Sequence, residues 1–296
     1  MPILSILIPV YNEERLLEEI ISRVFDAPLP ESADGGVITR EIILVDDAST
    51  DGTAGVIDLL VERYPDIKAY RLPQNIGKGG AIRYAIEKMS GDYAIIQDAD
   101  LEYDPKDYPL VLSPIIDGFV DVVYGSRFLG QRRWTDIFVL YRATNYFLTW
   151  LSNLLTGLRL TDMETCYKAF RADALRSIPI RNNRFNIEPE LTAKIAQRGM
   201  EICEVAISYD RRRYSEGKKI TWRDGFSAIY TIVKFWWIDD SVKQETNKQI
   251  KPKSTRAVTE NTTTPTTQQN VTKTATLPPL RKSGCPCDDR RAGHWR

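Results

Sequence analysis

Residues 3–10 read ILSILIPV, a nearly continuous apolar run that is followed by the polar residues of 11–13. A run of this length and composition is typical of a parallel strand that is buried on both faces. Outward from this strand, segments with strand and helix periodicity alternate: strands at 42–45, 68–72, 93–97 and 120–124, helices at 16–25 and 81–89, and a further helix that Thr53 is expected to cap. This alternation predicts an α/β fold with a doubly wound, mostly parallel sheet flanked by helices.

The composition excludes several classes of protein and of functional site. The 296 residues include 40 Lys+Arg and 40 Asp+Glu, for a formal net charge of zero. A nucleic-acid-binding protein needs a basic excess to meet phosphates, so no nucleic-acid partner is expected. The single histidine, His294, excludes a Ser-His-Asp triad, a Cys-His pair and any site with several histidine ligands. Oxygen ligands would therefore hold any metal, which favours Mg²⁺ or Mn²⁺.

Polar clusters follow four of the predicted strands. They read PVYNE at 9–13, DDASTDGT at 46–53, NIGKGG at 75–80 and DADLE at 98–102. Ligands of doubly wound sheets bind beyond the carboxyl ends of the strands, so we expect these clusters to line one binding edge. Carboxylates as close as Asp98 and Asp100 repel one another unless a cation lies between them. A divalent ion that meets both carboxylates and two phosphates of a nucleotide explains the pair, with Glu102 as a further ligand.

Together with GSR at 125–127, TDMETCYK at 161–168 and the segment 214–218, these motifs resemble glycosyltransferase family 2, over residues 3–238. Within that family the chain is most similar to the branch of dolichol-phosphate mannosyltransferases and polyprenyl-phosphate glycosyltransferases. The resemblance implies a GT-A (Rossmann-like) fold and a catalytic domain over residues 1–240. It also implies transfer of a single hexose, mannose or glucose, from a nucleotide-sugar to a polyprenyl (dolichyl or undecaprenyl) phosphate.

The resemblance further implies roles for individual residues. The GDP- or UDP-linked sugar would be held by Pro9, Tyr11, Glu13, Val45, Asp47, Lys78, Asp98 and Ala99, and the metal by Asp98, Asp100 and Glu102. Asp100 is also a predicted catalytic residue, because the metal neutralises the nucleoside diphosphate that leaves during an inverting displacement. A lipid phosphate is already ionised near pH 7 and needs cations rather than a base. The predicted cations are Arg127, Arg212 and Lys218.

Two other functions stay open at this point. A glycan or protein hydroxyl acceptor would need a carboxylate base, for which Glu188 and Glu190 are candidates. The chain could instead be an inactive subunit that binds a nucleotide-sugar, although the intact Asp98 and Asp100 pair argues against this.

Two segments, 136–158 with its uncharged aromatic-rich stretch 143–158, and 225–238, are candidates for helices at a membrane interface, and the alternative that they simply pack on the sheet stays open. Neither reaches the roughly 18–20 apolar residues that span a bilayer. We therefore predict a cytoplasmic protein, peripheral on the cytosolic face of a membrane, with the membrane surface or a membrane anchor subunit as partner. Residues 241–296 include TTTPTTQQ at 262–269 and few large apolar side chains, which predicts a disordered tail.

Overall fold

Strands and helices alternate through the residues that the computed structural model describes, which are 1–129, 139–184, 186–210 and 222–238. The strands are β1 (Ile3–Val10), β2 (Thr39–Asp46), β3 (Ile67–Arg71), β4 (Tyr93–Ile96), β5 (Val122–Ser126), β6 (Lys168–Arg171) and β7 (Ile202–Ala206). The helices are α1 (Leu17–Asp26), α2 (Thr53–Arg63), α3 (Lys78–Lys88), α4 (Tyr108–Ile116), α5 (Val139–Thr156), α6 (Ala172–Arg176), α7 (Ile187–Gln197) and α8 (Trp222–Ile238).

The strands form one sheet with the order β3-β2-β1-β4-β6-β5-β7. Strand β6 runs antiparallel to both of its neighbours, and all the other described pairings are parallel. The α/β fold with a mostly parallel sheet is confirmed. Every strand except β6 ends at the same edge of the sheet, which is where the polar clusters follow β1, β2 and β4.

Strand β1 is apolar except for Ser5 because both of its faces are buried. Ile6 and Ile8 pack into the core layer that contains Leu17 and Ile20 of α1. Leu7 points to the opposite layer, which is built on α3, α5, α7 and α8. The sheet is therefore covered by helices on both faces, as the sequence predicts.

One local prediction is wrong. Helix α2 begins at Thr53, and it is the carboxylate of Asp51 that accepts the backbone N–H of Thr53, at 3.0 Å. The hydroxyl of Thr53 instead accepts the backbone N–H of Glu13, at 2.9 Å. An aspartate two residues earlier offers a charged acceptor to the helix N-terminus, which leaves the threonine hydroxyl to join the loops after β1 and β2.

Both apolar segments near the end of the described chain are helices, α5 and α8, and they pack against each other. Each exposes a row of large apolar side chains: Tyr146, Phe147, Trp150 and Leu154 on α5, and Tyr230, Val233, Trp236 and Trp237 on α8. Within the described ranges, no helix combines the length and the apolar character needed to cross a bilayer. The predicted tail, 241–296, lies outside the described residues.

Candidate active site

The loops that follow β1 and β2 form one hydrogen-bonded unit at the carboxyl edge of the sheet. Asn12 donates its backbone N–H to Ser49 Oγ at 2.9 Å, and its side-chain oxygen accepts the N–H of Thr50 at 2.8 Å. Asn12 and Ala48 both have positive φ, 53° and 57°. Non-glycine residues in this conformation are strained and are found at functional sites. The predicted nucleotide ligands Pro9, Tyr11 and Glu13 lie in and beside this unit and are half-buried.

Asp47 attaches the start of α3 to this edge. Its two carboxylate oxygens accept the backbone N–H groups of Ile76, at 2.8 Å, and Gly77, at 2.7 Å. Burial raises the pKa of Asp47, and these two hydrogen bonds oppose that rise. Val45 is fully buried below. Asp47 thus positions the start of α3, where Lys78 lies. The predicted nucleotide role of Asp47 did not include this structural role.

Gly77 and Gly79 allow the backbone of residues 182–184 to lie directly against α3. A Cβ at either position would collide with a backbone carbonyl oxygen of Asn183 or Asn182. Glu190 holds that segment by accepting the N–H groups of Arg181 and Asn182, each at 2.7 Å. Glu190 is fully buried and also pairs with Lys194 at 2.5 Å. Its carboxylate therefore fixes structure beside the site.

Lys78 lies at the centre of a buried charged cluster. Its Nζ is 2.8 Å from Asp98 Oδ1, 3.1 Å from Glu188 Oε1 and 2.9 Å from Cys166 Sγ. Burial opposes its charge, but the two carboxylates hold the pKa of Lys78 well above its ordinary value. Burial raises the pKa of Cys166, which is a neutral thiol. Lys78 therefore supplies a permanent positive charge that orients Asp98.

The loop after β4 carries the predicted metal ligands. Asp100 Oδ1 accepts the backbone N–H of Glu102 at 3.2 Å, and Glu102 Oε2 accepts the hydroxyl of Tyr209 at 2.7 Å. Ala99 between the predicted ligands is buried. In the described part of the chain, no three acidic, cysteine or histidine side chains converge on a common point for a metal. Mg²⁺ is commonly bound by one or two carboxylates together with substrate phosphates, and Asp100 and Glu102 fit that smaller donor set.

Arg127, which follows β5, is buried and held by Asp162. Its Nε and Nη2 lie 2.7 Å from Asp162 Oδ2 and Oδ1 respectively, a bidentate pair. Arg127 Nη2 also donates to Asn145 Oδ1 of α5 at 3.4 Å. Glu204 of β7 in turn accepts the N–H of Asp162 at 3.0 Å. Asp162 and Asn145 of α5 thus fix the orientation of Arg127, the residue predicted to bind the acceptor phosphate.

The other two predicted cations, Arg212 and Lys218, lie outside the described residues. Asp210, the last described residue before them, donates its N–H to the carbonyl of Glu102 at 2.9 Å. Tyr103 and Tyr209 form an isolated antiparallel bridge next to this contact. The chain therefore enters residues 211–221 from a point beside the predicted metal ligands.

The sequence did not identify several partners in this site. Asp162, Cys166 and Glu204 received no role, although the first two lie in the TDMETCYK motif. In the sequence, these residues stand out only as polar residues near apolar runs. Their partners are distant in the chain, so no local pattern marks them as functional. Only the folded sheet brings them to Arg127 and Lys78.

Comparisons with known proteins identify the family of the chain. The model of the family "Glycosyl transferase family 2" matches residues 5–178. The undecaprenyl-phosphate mannosyltransferase of Micrococcus luteus is 31% identical over 229 residues, which cover 74% of this chain and 87% of that protein. The UDP-N-acetylglucosamine–dolichyl-phosphate N-acetylglucosaminyltransferase of Methanococcus voltae is 26% identical over 248 residues, which cover 78% of this chain and 95% of that protein.

Among solved structures, glucosyl-3-phosphoglycerate synthase from Mycobacterium tuberculosis, crystallised with Mn²⁺, UDP and phosphoglyceric acid, matches with a TM-score of 0.58 at 20% identity. The match covers 81% of this chain and 80% of that one, and at this identity it shows the GT-A fold alone. The family model matches more than half of the chain and includes the loops described above. The chain therefore belongs to glycosyltransferase family 2, and the protein is a glycosyltransferase.

Proposed function

We propose that this glycosyltransferase transfers one hexose, mannose or glucose, from a GDP- or UDP-linked sugar to a polyprenyl (dolichyl or undecaprenyl) phosphate. The proposal rests chiefly on one observation, the hydrogen bond between the buried Arg127 and Asn145 of α5. Another face of that helix exposes aromatic side chains. The guanidinium of Arg127, a group that can bind a phosphate, thus lies on the inner side of α5. The exposed aromatic side chains of the same helix can contact a lipid surface. The names of the two relatives describe transfer to undecaprenyl and dolichyl phosphates, which supports the same acceptor class.

On the donor side, the proposal uses the loops after β1, β2 and β4 and the start of α3. The nucleotide-sugar would contact Pro9, Tyr11, Glu13, Asp47, Lys78, Asp98 and Ala99. Val45 is fully buried at the end of β2, so it would support this edge of the sheet rather than touch the ligand. A divalent metal, Mg²⁺ or Mn²⁺, would be held by Asp100 and Glu102 together with the donor phosphates, with Asp98, which is paired with Lys78, beside it, and would neutralise charge on the leaving diphosphate. Lys78 holds Asp98 in place through their 2.8 Å contact. The preassembled charges reduce the reorganisation needed when the diphosphate leaves.

On the acceptor side, Arg127 would bind the lipid phosphate with Arg212 and Lys218. The phosphate oxygen would attack the anomeric carbon from the face opposite the diphosphate, which gives inversion. A phosphate nucleophile needs no general base. Both carboxylates considered for a hydroxyl acceptor are engaged in ion pairs, Glu188 with Lys78 and Glu190 with Lys194.

The transfer assay uses labelled GDP-mannose, UDP-glucose and UDP-N-acetylglucosamine, with Mg²⁺, Mn²⁺ or chelator, and purified polyprenyl phosphate in detergent. We expect metal-dependent label in an organic-extractable product that mild acid cleaves. Conversion of Asp100→Asn should abolish that product. Donor hydrolysis without a lipid product, or transfer to a glycan hydroxyl instead, would contradict the proposal.

Peripheral binding to the cytosolic face of a membrane through α5 and α8 is a separate part of the proposal. Leu154 of α5 and Leu59 of α2 are equally suited to a matched test, with exposures of 63% and 64%. We expect Leu154→Ser and Trp237→Ser each to weaken binding to anionic phospholipid vesicles several-fold, because each removes apolar area from the interface. Leu59→Ser should leave binding unchanged. Equal binding by all the variants in a vesicle flotation assay would rule out these helices as the membrane contact.

A further inference from the structure

The loop of residues 161–166 connects the two charged clusters of the site. Near one end, Asp162 binds Arg127 through contacts of 2.7 Å. At the other end, Cys166 Sγ lies 2.9 Å from Lys78 Nζ and 3.6 Å from Glu188 Oε1. Only residues 163–165 separate these ends. This loop, which we call the bridging loop, therefore spans from the proposed acceptor cation to the donor side.

Partners from several elements fix the backbone of the bridging loop. Its hydrogen bonds are Thr161 N and Asp162 N to Glu204, Met163 N to Thr149 Oγ1, Lys168 Nζ to the carbonyls of Met163 and Thr165, and Cys166 N to the hydroxyl of Tyr103. Because the backbone is held at nearly every residue, the positions of its side chains are set before any ligand binds.

Glu164, in the middle of the bridging loop, has a buried carboxyl oxygen without a partner. Among the described residues, its Oε1 receives no hydrogen bond. Burial and the nearby Glu188 carboxylate raise the pKa of Glu164 to about 7, while Lys168 and Arg127 oppose this rise. A buried polar atom without a partner costs about 1–3 kcal/mol, so a site retains one where a ligand supplies the missing hydrogen bond.

The position of Glu164 indicates which part of a ligand it meets. In a displacement, the transferred sugar lies between the leaving diphosphate and the attacking phosphate. Glu164 lies between the groups that hold those two. Phosphates carry negative charge and offer no hydrogen-bond donor at neutral pH, whereas the hydroxyl groups of a hexose donate readily to a carboxyl oxygen.

We infer that Glu164 contacts the sugar ring of the donor and accepts a hydrogen bond from one of its hydroxyl groups, and so contributes to the choice of sugar. The inference rests on the proposed function for the locations of the donor diphosphate and of the acceptor phosphate. A site that hydrogen-bonds a substrate hydroxyl discriminates strongly against an analogue that lacks it.

The test compares the binding of a nucleotide-sugar and of its nucleoside diphosphate by isothermal titration calorimetry with Mg²⁺. UDP-glucose with UDP, and GDP-mannose with GDP, are the probes. In Glu164→Gln and Glu164→Asp we expect about tenfold weaker binding of the nucleotide-sugar that the wild type prefers. Binding of the nucleoside diphosphate should stay within twofold, which also shows that the variants are folded. Glu62→Gln, an exposed carboxylate of α2, is the matched control.

A set of mono-deoxy analogues of the preferred donor identifies the hydroxyl. For one analogue, the wild type should lose the same tenfold, and Glu164→Gln should lose nothing further. An equal loss for the sugar and the diphosphate, or no loss for either, would overturn the inference. No acceptor is present in these titrations, so their outcome is independent of whether the acceptor is a lipid phosphate.

Discussion

The ammonium group of Lys78 separates two carboxylates, Asp98 and Glu188, that would otherwise repel one another in the interior. All three side chains are at most 16% exposed, so water screens their charges weakly. Asp98 is also a predicted ligand of the donor. Lys78 therefore has a structural and a preorganising role, and removal of its charge should affect stability as well as binding.

We expect Lys78→Met to lower the free energy of unfolding by about 3–5 kcal/mol at pH 7, because it leaves two buried carboxylates facing each other. The double variant Lys78→Met with Glu188→Gln should regain part of this loss, since one negative charge is gone. Urea unfolding monitored by circular dichroism measures both.

Lys106→Met, which changes an exposed lysine, is the control and should alter stability by less than about 0.5 kcal/mol. If the double variant were no more stable than the single one, repulsion between Asp98 and Glu188 would not be the cause of the loss.

At the scale of elements, Glu41 at the start of β2 joins four parts of the sheet at the edge opposite the site. It accepts hydrogen bonds from Ser5 of β1 at 2.5 Å, Lys68 of β3 at 2.6 Å, and the N–H groups of Ser90 and Gly91 before β4 at 2.6 and 3.0 Å. Burial alone would raise its pKa, but the hydrogen bonds from Lys68, Ser5 and Ser90 lower the pKa of Glu41 to about 2.

This lowered pKa predicts a pH-dependent stability. The ordinary value is 4.5, so the contribution of Glu41 is complete above pH 4.5 and is lost as the pH falls towards 2. We expect Glu41→Gln to cost roughly 2–3 kcal/mol at pH 7, an estimate reduced because the Lys68 side chain is 46% exposed. The variant and the wild type should converge only near pH 2 in guanidinium unfolding curves. A difference that is constant from pH 3 to pH 7 would contradict this assignment.

The elements that the sequence predicted are those whose pattern is local. Strands β1 to β4 and helix α1 agree with their apolar periodicity to within a few residues, while β5 lies two residues later than expected. Strands β6 and β7 were missed. Strand β6 contains the fully buried Lys168, and a lysine in the sequence argues against a buried strand. In the fold, its ammonium group donates to the carbonyls of Met163 and Thr165, which allows it to be buried.

The same limit applies to the site. Asp98, Asp100 and Glu102 stand out because they are neighbours in the chain. The pairs of Arg127 with Asp162 and of Lys78 with Glu188 join distant segments, and no period in the sequence links them. Their meeting depends on the position of the antiparallel β6 between β4 and β5, which only the folded sheet defines.

At the scale of the whole molecule, the proposed donor ligands come from four loops that the sheet holds together. A ligand that binds these loops only in the folded state stabilises the whole fold. We expect a nucleoside diphosphate with Mn²⁺, at 100 times its dissociation constant, to add about 2.7 kcal/mol and to raise Tm by roughly 5–10 °C. Differential scanning calorimetry measures this shift.

Chelator should remove most of that increase, and Asp100→Asn should be insensitive to Mn²⁺. An identical rise in Tm with and without chelator would contradict the predicted metal role of Asp98, Asp100 and Glu102. The catalytic domain of residues 1–240 and the tail of 241–296 remain predictions from the sequence.

Two faces of helix α5 make different contacts. Asn145, Thr149 and Asn153, four residues apart, hydrogen-bond Arg127, Met163 and Leu160, while Tyr146, Trp150 and Leu154 point away. The two rows lie about 100° apart around the helix, so α5 sets a fixed height, within its diameter of about 10–12 Å, between Arg127 and whatever the aromatic row rests on. On the proposed function, that height keeps catalysis at the level of the lipid headgroups. The hydrocarbon tail then stays in the bilayer, and acceptors with short and long polyprenyl chains should be used alike.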